Sequence, residues 1–162
     1  MTFYATKKID AAPMTRAEYN IYRGWDLPAN ENGDDKGFLV EYANGGESNH
    51  PDHRGYISWS PADVFEESYQ ENGNLSFGHA VHAMKAGKKV CRSGWNGKGM
   101  FLFLVPGSTF KVNRAPLLGI YELGSEIKYQ PHIDMKTAQD TVVPWLASQS
   151  DVLANDWEVL ED

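Results

Sequence analysis

Residues 77–105 read FGHAVHAMKAGKKVCRSGWNGKGMFLFLV, and their order decides the fold class. Phe77, Ala80, Val81 and Met84 recur at helical spacing behind Ser76, a residue type that caps helix starts. Gly87 stands where a left-handed residue ends a helix. Lys88–Arg92 then reads as a short strand, residues 93–99 as a loop, and Gly99–Val105 as a strong strand stopped by Pro106. A helix running into strands joined by a short loop predicts an α+β fold.

Towards the C-terminus, 111–126 is ambiguous because it holds Pro116 and two glycines. Ile127–Met135 looks extended, and Thr141–Val143 is a short strand ahead of Pro144-Trp145. Ser148-Gln149-Ser150-Asp151 is a cap-like box that opens a turn of helix, and Trp157–Leu160 alternates as a final strand with Trp157 in the core. Towards the N-terminus, Gln70–Asn74 (QENGN) is polar and turn-forming, so a boundary is expected there: residues 1–70 as one small α+β module, 71–74 as linker, 75–162 as a second domain. In the first module Phe3–Ala11 has strand character. Thr15 to Gly24 reads as a helix with a Thr15/Glu18 capping box. Gly37–Tyr42 and Tyr56–Trp59 are strands, and Ser60-Pro61 opens a second helix with Ser60 as its cap.

Between Asn72 and Tyr121 there is no Asp or Glu but seven Lys or Arg, while both flanks are acidic and the chain carries −7 overall. An island of one sign inside an acidic protein predicts a local site for an anion. It argues against a nucleic-acid surface, because the net field repels a polyanion. No apolar run approaches the roughly 20 residues that span a bilayer, and MTFYATKKID lacks an apolar signal core, so neither membrane nor secretion is expected. The lone Cys91 excludes an internal disulfide and fits a reducing cytosol; it reads as a small buried residue.

The loop Ser93-Gly94-Trp95-Asn96-Gly97-Lys98-Gly99 is the sharpest local feature. Its glycines let backbone N–H groups approach an anion closely. Lys98 adds a point charge, Arg92 can fork onto phosphate, and Trp95 offers a flat face for a base. The competing reading is a hairpin turn with Trp95 in the core. The Gly-x4-Gly-Lys-Ser/Thr spacing of a nucleotide-hydrolysing loop is absent. Around Trp145, a second ring for stacking, Ser148, Gln149 and Asp151 supply donors and acceptors for a base edge or ribose hydroxyl, though Ser148 and Asp151 equally fit a helix cap. His79/His82 and His50/His53 share an i, i+3 spacing without a carboxylate or Cys at convincing distance, so no metal is expected. His132 and Asp134 fall on one side of a strand, as an acid–base pair or a solvated face.

The strings Phe77–Gly99, Met100–Phe110 (MFLFLVPGSTF) and Pro144–Leu160 (PWLASQSDVLANDWEVL) resemble the Thoeris anti-defense 2 family, small phage proteins. The resemblance covers residues from about 75 to the end. It implies a helix packed on an antiparallel sheet and a homotetramer with ligand pockets between protomers. It implies a sponge, not an enzyme: a protein in the cytoplasm of the infected host that holds glycocyclic ADP-ribose made by TIR enzymes without cleaving it. It extends to cyclic dinucleotides for some members. No cofactor is implied. The ligand-binding set carried over is Arg92, Trp95, Asn96, Gly97, Lys98, Met100, Trp145, Ser148, Gln149 and Asp151. Residues 7–69 are additional to the minimal family domain and have no assigned role. Two other readings are kept: an enzyme that degrades a cyclic nucleotide through His132 and Asp134, and a phage assembly protein whose Gly/Trp loops only build interfaces.

Overall fold

A computed structural model of the chain describes residues 1–2 and 5–161. The chain divides into two units, Met1–Gln70 and Glu71–Asp162.

In the first unit, β1 (Asp10–Pro13) leads into α1 (Arg16–Arg23), β2 (Gly37–Tyr42), β3 (Tyr56–Pro61) and α2 (Ala62–Ser68). The strands form an antiparallel sheet in the order β1-β2-β3. Thr15 and Glu18 make the predicted capping box, and Gly24 closes the helix at φ 67°. Tyr19, Leu39 and Ile57 are buried together, with Met14 and Trp59 packed on them. Phe38 stacks on Phe65 of α2 at 4.0 Å. Two expectations change. Of the strand expected over residues 3–11, Phe3 and Tyr4 lie outside the described residues, and the ladder starts only at Asp10, opposite Glu41. β2 ends at Tyr42, where the chain turns, so the strand ladder stops there, and Lys7 instead lies over the Tyr42 ring at 4.4 Å. Nor does Ser60 cap α2. It is committed to the ladder opposite Phe38, the helix starts behind Pro61, and no side chain caps it.

The second unit runs α3 (Phe77–Lys85), β4 (Lys89–Arg92), β5 (Phe101–Val105), β6 (Ser108–Lys111), β7 (Glu126–Tyr129), β8 (His132–Lys136), β9 (Val142–Pro144), α4 (Gln149–Val152) and β10 (Trp157–Leu160). Five strands form one sheet in the order β10-β4-β5-β8-β9, every neighbouring pair antiparallel, and β6-β7 form a separate ribbon. The molecule is therefore α+β, with a helix on an antiparallel sheet. Ile127–Met135 is extended but not continuous: the break at Gln130-Pro131 hands the chain from the ribbon to the large sheet.

Side chains alternate across a sheet, and the register sorts the two faces. Val90 faces Leu102 and Val159, and Leu102 faces Met135. Ala80 and Met84 of α3 bury Val90, Leu102 and Trp157 on that side. Phe101, Phe103, Lys136 and Val142 alternate onto the other. Trp157 is fully buried and meets Phe77, Trp95 and Trp145 at centroid distances of 5.3, 5.6 and 6.3 Å. Its indole N–H donates to the Asp151 carbonyl at 3.0 Å. Beside β10, Leu75 bridges Trp157 and the Asn72 amide bonds both N–H and C=O of Val159, at 2.7 and 2.9 Å.

Because one indole joins α3, the loop after β4 and the C-terminal strand, Trp157→Ala is expected to cost about 3–5 kcal/mol. Denaturant unfolding followed by tryptophan fluorescence and far-UV circular dichroism measures the loss.

Candidate functional site

The two candidate segments, 92–100 and 145–151, come together at one end of the five-stranded sheet. Arg92, the last residue of β4, lies with its Nε 2.7 Å from Asp156 and its Nη1 2.7 Å from Asp151. Asp151 Oδ1 also accepts from Trp95 Nε1 at 3.3 Å, and Asp151 Oδ2 from Ser148 Oγ at 2.6 Å. Asp156 Oδ2 takes the Gly94 N–H at 3.0 Å. The hydrogen bond from Arg92 is the main reason the Asp156 carboxyl sits below the ordinary range, against its partial burial and with help from Gly94. At Asp151 burial pushes the carboxyl up, but bonds from Ser148, Arg92 and Trp95 together outweigh it and hold the group low. Asp156 and then Asp151 raise Arg92 in turn.

The arrangement alters what the sequence promised. The acidic C-terminal segment returns to neutralise one member of the cationic island, Arg92. That guanidinium is a strut between the loop and the tail, with both forks already spent on carboxylates. Trp95 and Trp145 are half-buried against Trp157, nearer to core than to free stacking faces. Ser148 and Asp151 do make the capping box of α4. Asn96, Lys98 and Gln149 are exposed at this corner.

Two of the loop's three glycines answer to packing, while Gly99 takes a left-handed φ of 69° with open space at its β-position. A β-carbon on Gly94 would stand 2.7 Å from Asp156 Oδ2. One on Gly97 would strike the Met100 sulfur and come within 3.0 Å of the Ala138 methyl. The loop is thus seated on the β8–β9 turn, and Lys136 Nζ reaches the Gly99 carbonyl at 3.4 Å.

That seat adjoins a feature that residue-by-residue reading missed. On the sheet face opposite α3 lies an open groove of about 450 Å³, lined by Lys89, Phe101, Phe103, Lys136, Asp140 and Val142. The volume suits a small ligand. Lys89 and Lys136 stand 5.7 and 5.9 Å from the centre of the Phe101 ring. Lys136 also pairs with Asp140 at 3.0 Å. On the same face Asp134 Oδ1 is buried without a hydrogen bond, with His132 Nε2 3.7 Å away. An aromatic floor beside two lysines is complementary to an anionic ring compound. The signal available in sequence was the alternation of Phe101 and Phe103 with Leu102 and Leu104, but only the register adds Lys136 and Val142. Among the described residues no group of three or more His, Cys, Asp or Glu could hold a metal ion, and no helix is long and apolar enough to cross a membrane.

A family model described as the Thoeris anti-defense 2-like domain matches residues 75–160. A protein of Bacillus phage SP01 named Thoeris anti-defense 2 is 41% identical over 86 residues, which make up 53% of this chain and 94% of that protein.

The depressed carboxylates give the strut a sign with pH. Groups whose folded values are lowered stabilise above the unfolded aspartate value of about 3.9, and that stability is lost as pH falls through the folded values. Thermal unfolding of the native chain should therefore weaken below about pH 4. In Arg92→Gln that dependence should flatten, with roughly 2 kcal/mol less stability at neutral pH; calorimetry against pH checks both.

Proposed function

The chain belongs to the Thoeris anti-defense 2-like family, and we propose that it is a phage anti-defence protein that captures cyclic nucleotide immune signals and holds them uncleaved. The observation that carries this is the lysine-walled, phenylalanine-floored groove with the glycine loop on its rim. Glycocyclic ADP-ribose, the ligand class inferred here, offers a purine to stack, a diphosphate to neutralise and ribose hydroxyls to bond; cyclic dinucleotides share all three. In this reading Phe101 and Phe103 take the base, and Lys89, Lys136 and Lys98 meet the phosphates. Asn96 and Gln149 read hydroxyls, with Gly97 and Met100 shaping the rim. Arg92, Asp151, Ser148, Trp95 and Trp145 hold the frame on which the loop sits.

Affinity arithmetic asks for a second chain. A nanomolar sponge needs about −12 kcal/mol, whereas one stacked base contributes roughly 1–3 kcal/mol and an open groove leaves one side of the ligand in water. Neighbouring protomers of a homotetramer closing over the groove supply the remainder. Leu118, Ile120, Leu123, Leu146 and Leu153, at 42, 70, 72, 90 and 74% exposure, give the second unit apolar surface to bury in such an assembly. The host cytoplasm, where the signal is made, is the place of action.

Incubation with glycocyclic ADP-ribose, heat denaturation and chromatography of the supernatant should return the intact ligand, and the native protein should show a ligand-dependent rise in Tm. Phe101→Ala and Lys136→Glu should each weaken binding at least about tenfold. A new product peak would assign an enzyme instead, with His132 and Asp134 as the first groups to test. Absence of any thermal shift would favour an assembly role.

A further inference from the structure

The N-terminal unit carries a chain of hydrogen-bonded titratable groups that ligand capture does not use. Glu41, on β2, places Oε2 2.7 Å from His53 Nδ1. Its Oε1 accepts the N–H groups of Arg54 and Gly55 at 2.9 and 3.0 Å. The bond to His53, followed by that from Gly55, holds this carboxyl below its ordinary range against partial burial. An ionised carboxylate only accepts, so in the neutral imidazole of His53 the proton sits on Nδ1 and Nε2 presents its lone pair. Tyr22 Oη, from α1, lies 2.9 Å from that nitrogen and donates to it in that tautomer.

The surroundings are built rather than loose. Asn49 clamps both the N–H and the C=O of Ile57, at 2.8 and 2.9 Å, and Ser48 Oγ bonds the His50 carbonyl at 2.6 Å. These residues, with Pro51 and the two histidine rings, line an open groove of about 460 Å³. Tyr22 stacks on His50 with centroids 4.5 Å apart and rings inclined by 20°. The Asp52 N–H donates to His50 Nδ1 at 3.3 Å, leaving the proton of neutral His50 on Nε2 as a donor. Tyr22 itself is 36% exposed. A hydroxyl, a histidine and a carboxylate in series beside a groove is the order that activates an oxygen nucleophile.

We propose that Tyr22 is an activated nucleophile for acyl transfer, with His53 as its general base and Glu41 as the positioning residue. The electrophile is a small neutral ester or thioester, because the acidic excess of this unit disfavours phosphate esters. Tyr22 Oη attacks the acyl carbon while His53 Nε2 takes the phenolic proton. The bond to the departing alcohol or thiol then breaks, and His53 returns the proton to it, leaving an O-acyl tyrosine. Water attacks that ester in turn, giving its proton to His53, which passes it to the Tyr22 oxygen as the acid leaves.

The probe is p-nitrophenyl acetate on the full chain, read as nitrophenolate release and as acetylation per tyrosine by peptide mass spectrometry. Tyr56 and Tyr121, 45 and 49% exposed, are internal references. Tyr22 should acetylate roughly 100-fold faster than either. Tyr22→Phe, which keeps the ring on His50, should remove the fast phase. His53→Gln should bring Tyr22 down to the reference rate, and Glu41→Gln should slow it while altering its pH profile, in which His50, His53 and Asp52 are the neighbouring titrating groups. A Tyr22 rate no higher than the references overturns the proposal, and so does an excess that survives in a folded His53→Gln variant. If that variant does not fold, the comparison within the native chain decides alone.

Discussion

The geometry of the second unit depends on one carboxylate. Asp151 caps its own short helix through Ser148, takes one fork of Arg92 and the indole N–H of Trp95, and its backbone carbonyl receives Trp157. Arg92 and Trp95, 59 and 56 residues earlier, therefore converge on the same residue as its near neighbours Ser148 and Trp157. Its charge is compensated by Arg92, whose Nε and Nη2 donate to Asp156 and whose Nη1 also reaches the Ser150 carbonyl. A partly buried ion pair of this kind is satisfied at nearly every polar atom, the condition under which it fixes geometry instead of costing stability. The glycine loop inherits its position from it. With Gly94 tied to Asp156 and Gly97 resting on Met100 and Ala138, the loop is held from two sides.

Where local physics suffices, the chain can be read directly. Thr15 with Glu18 and Ser148 with Asp151 are capping boxes because three-residue spacing lets each side chain reach the other's backbone. Trp157 and the alternation around it announced a buried strand. The helix of residues 77–85 and the strands after it followed from periodicity, and with them the α+β class. Ser60 failed as a cap because a strand, formed with a partner twenty-two residues earlier, claimed it first.

The candidate site was legible only in part. Its two segments were singled out separately, and nothing in their spacing shows that Asp151 and Asp156 turn back on Arg92 across 59 and 64 residues. A charge count along the chain cannot see that return. The groove is less visible still. Lys89, Phe101, Lys136 and Val142 lie on four strands, and only the antiparallel register sets them side by side. In the N-terminal unit, the i, i+3 spacing of His50 and His53 does not show what the fold brings to them: a carboxylate and a phenol to one, a stacked ring to the other.

The outer strands of the five-stranded sheet have a further consequence. One border is already occupied, since Leu75 and the Asn72 amide bond to Trp157 and Val159 along β10. The other, β9, is three residues long and ends in a proline, which has no N–H to offer. Neither margin can template the addition of another copy strand by strand, the route by which open ladders grow into fibres. Self-association through the five-stranded sheet is thereby confined to its faces and to the loops around it.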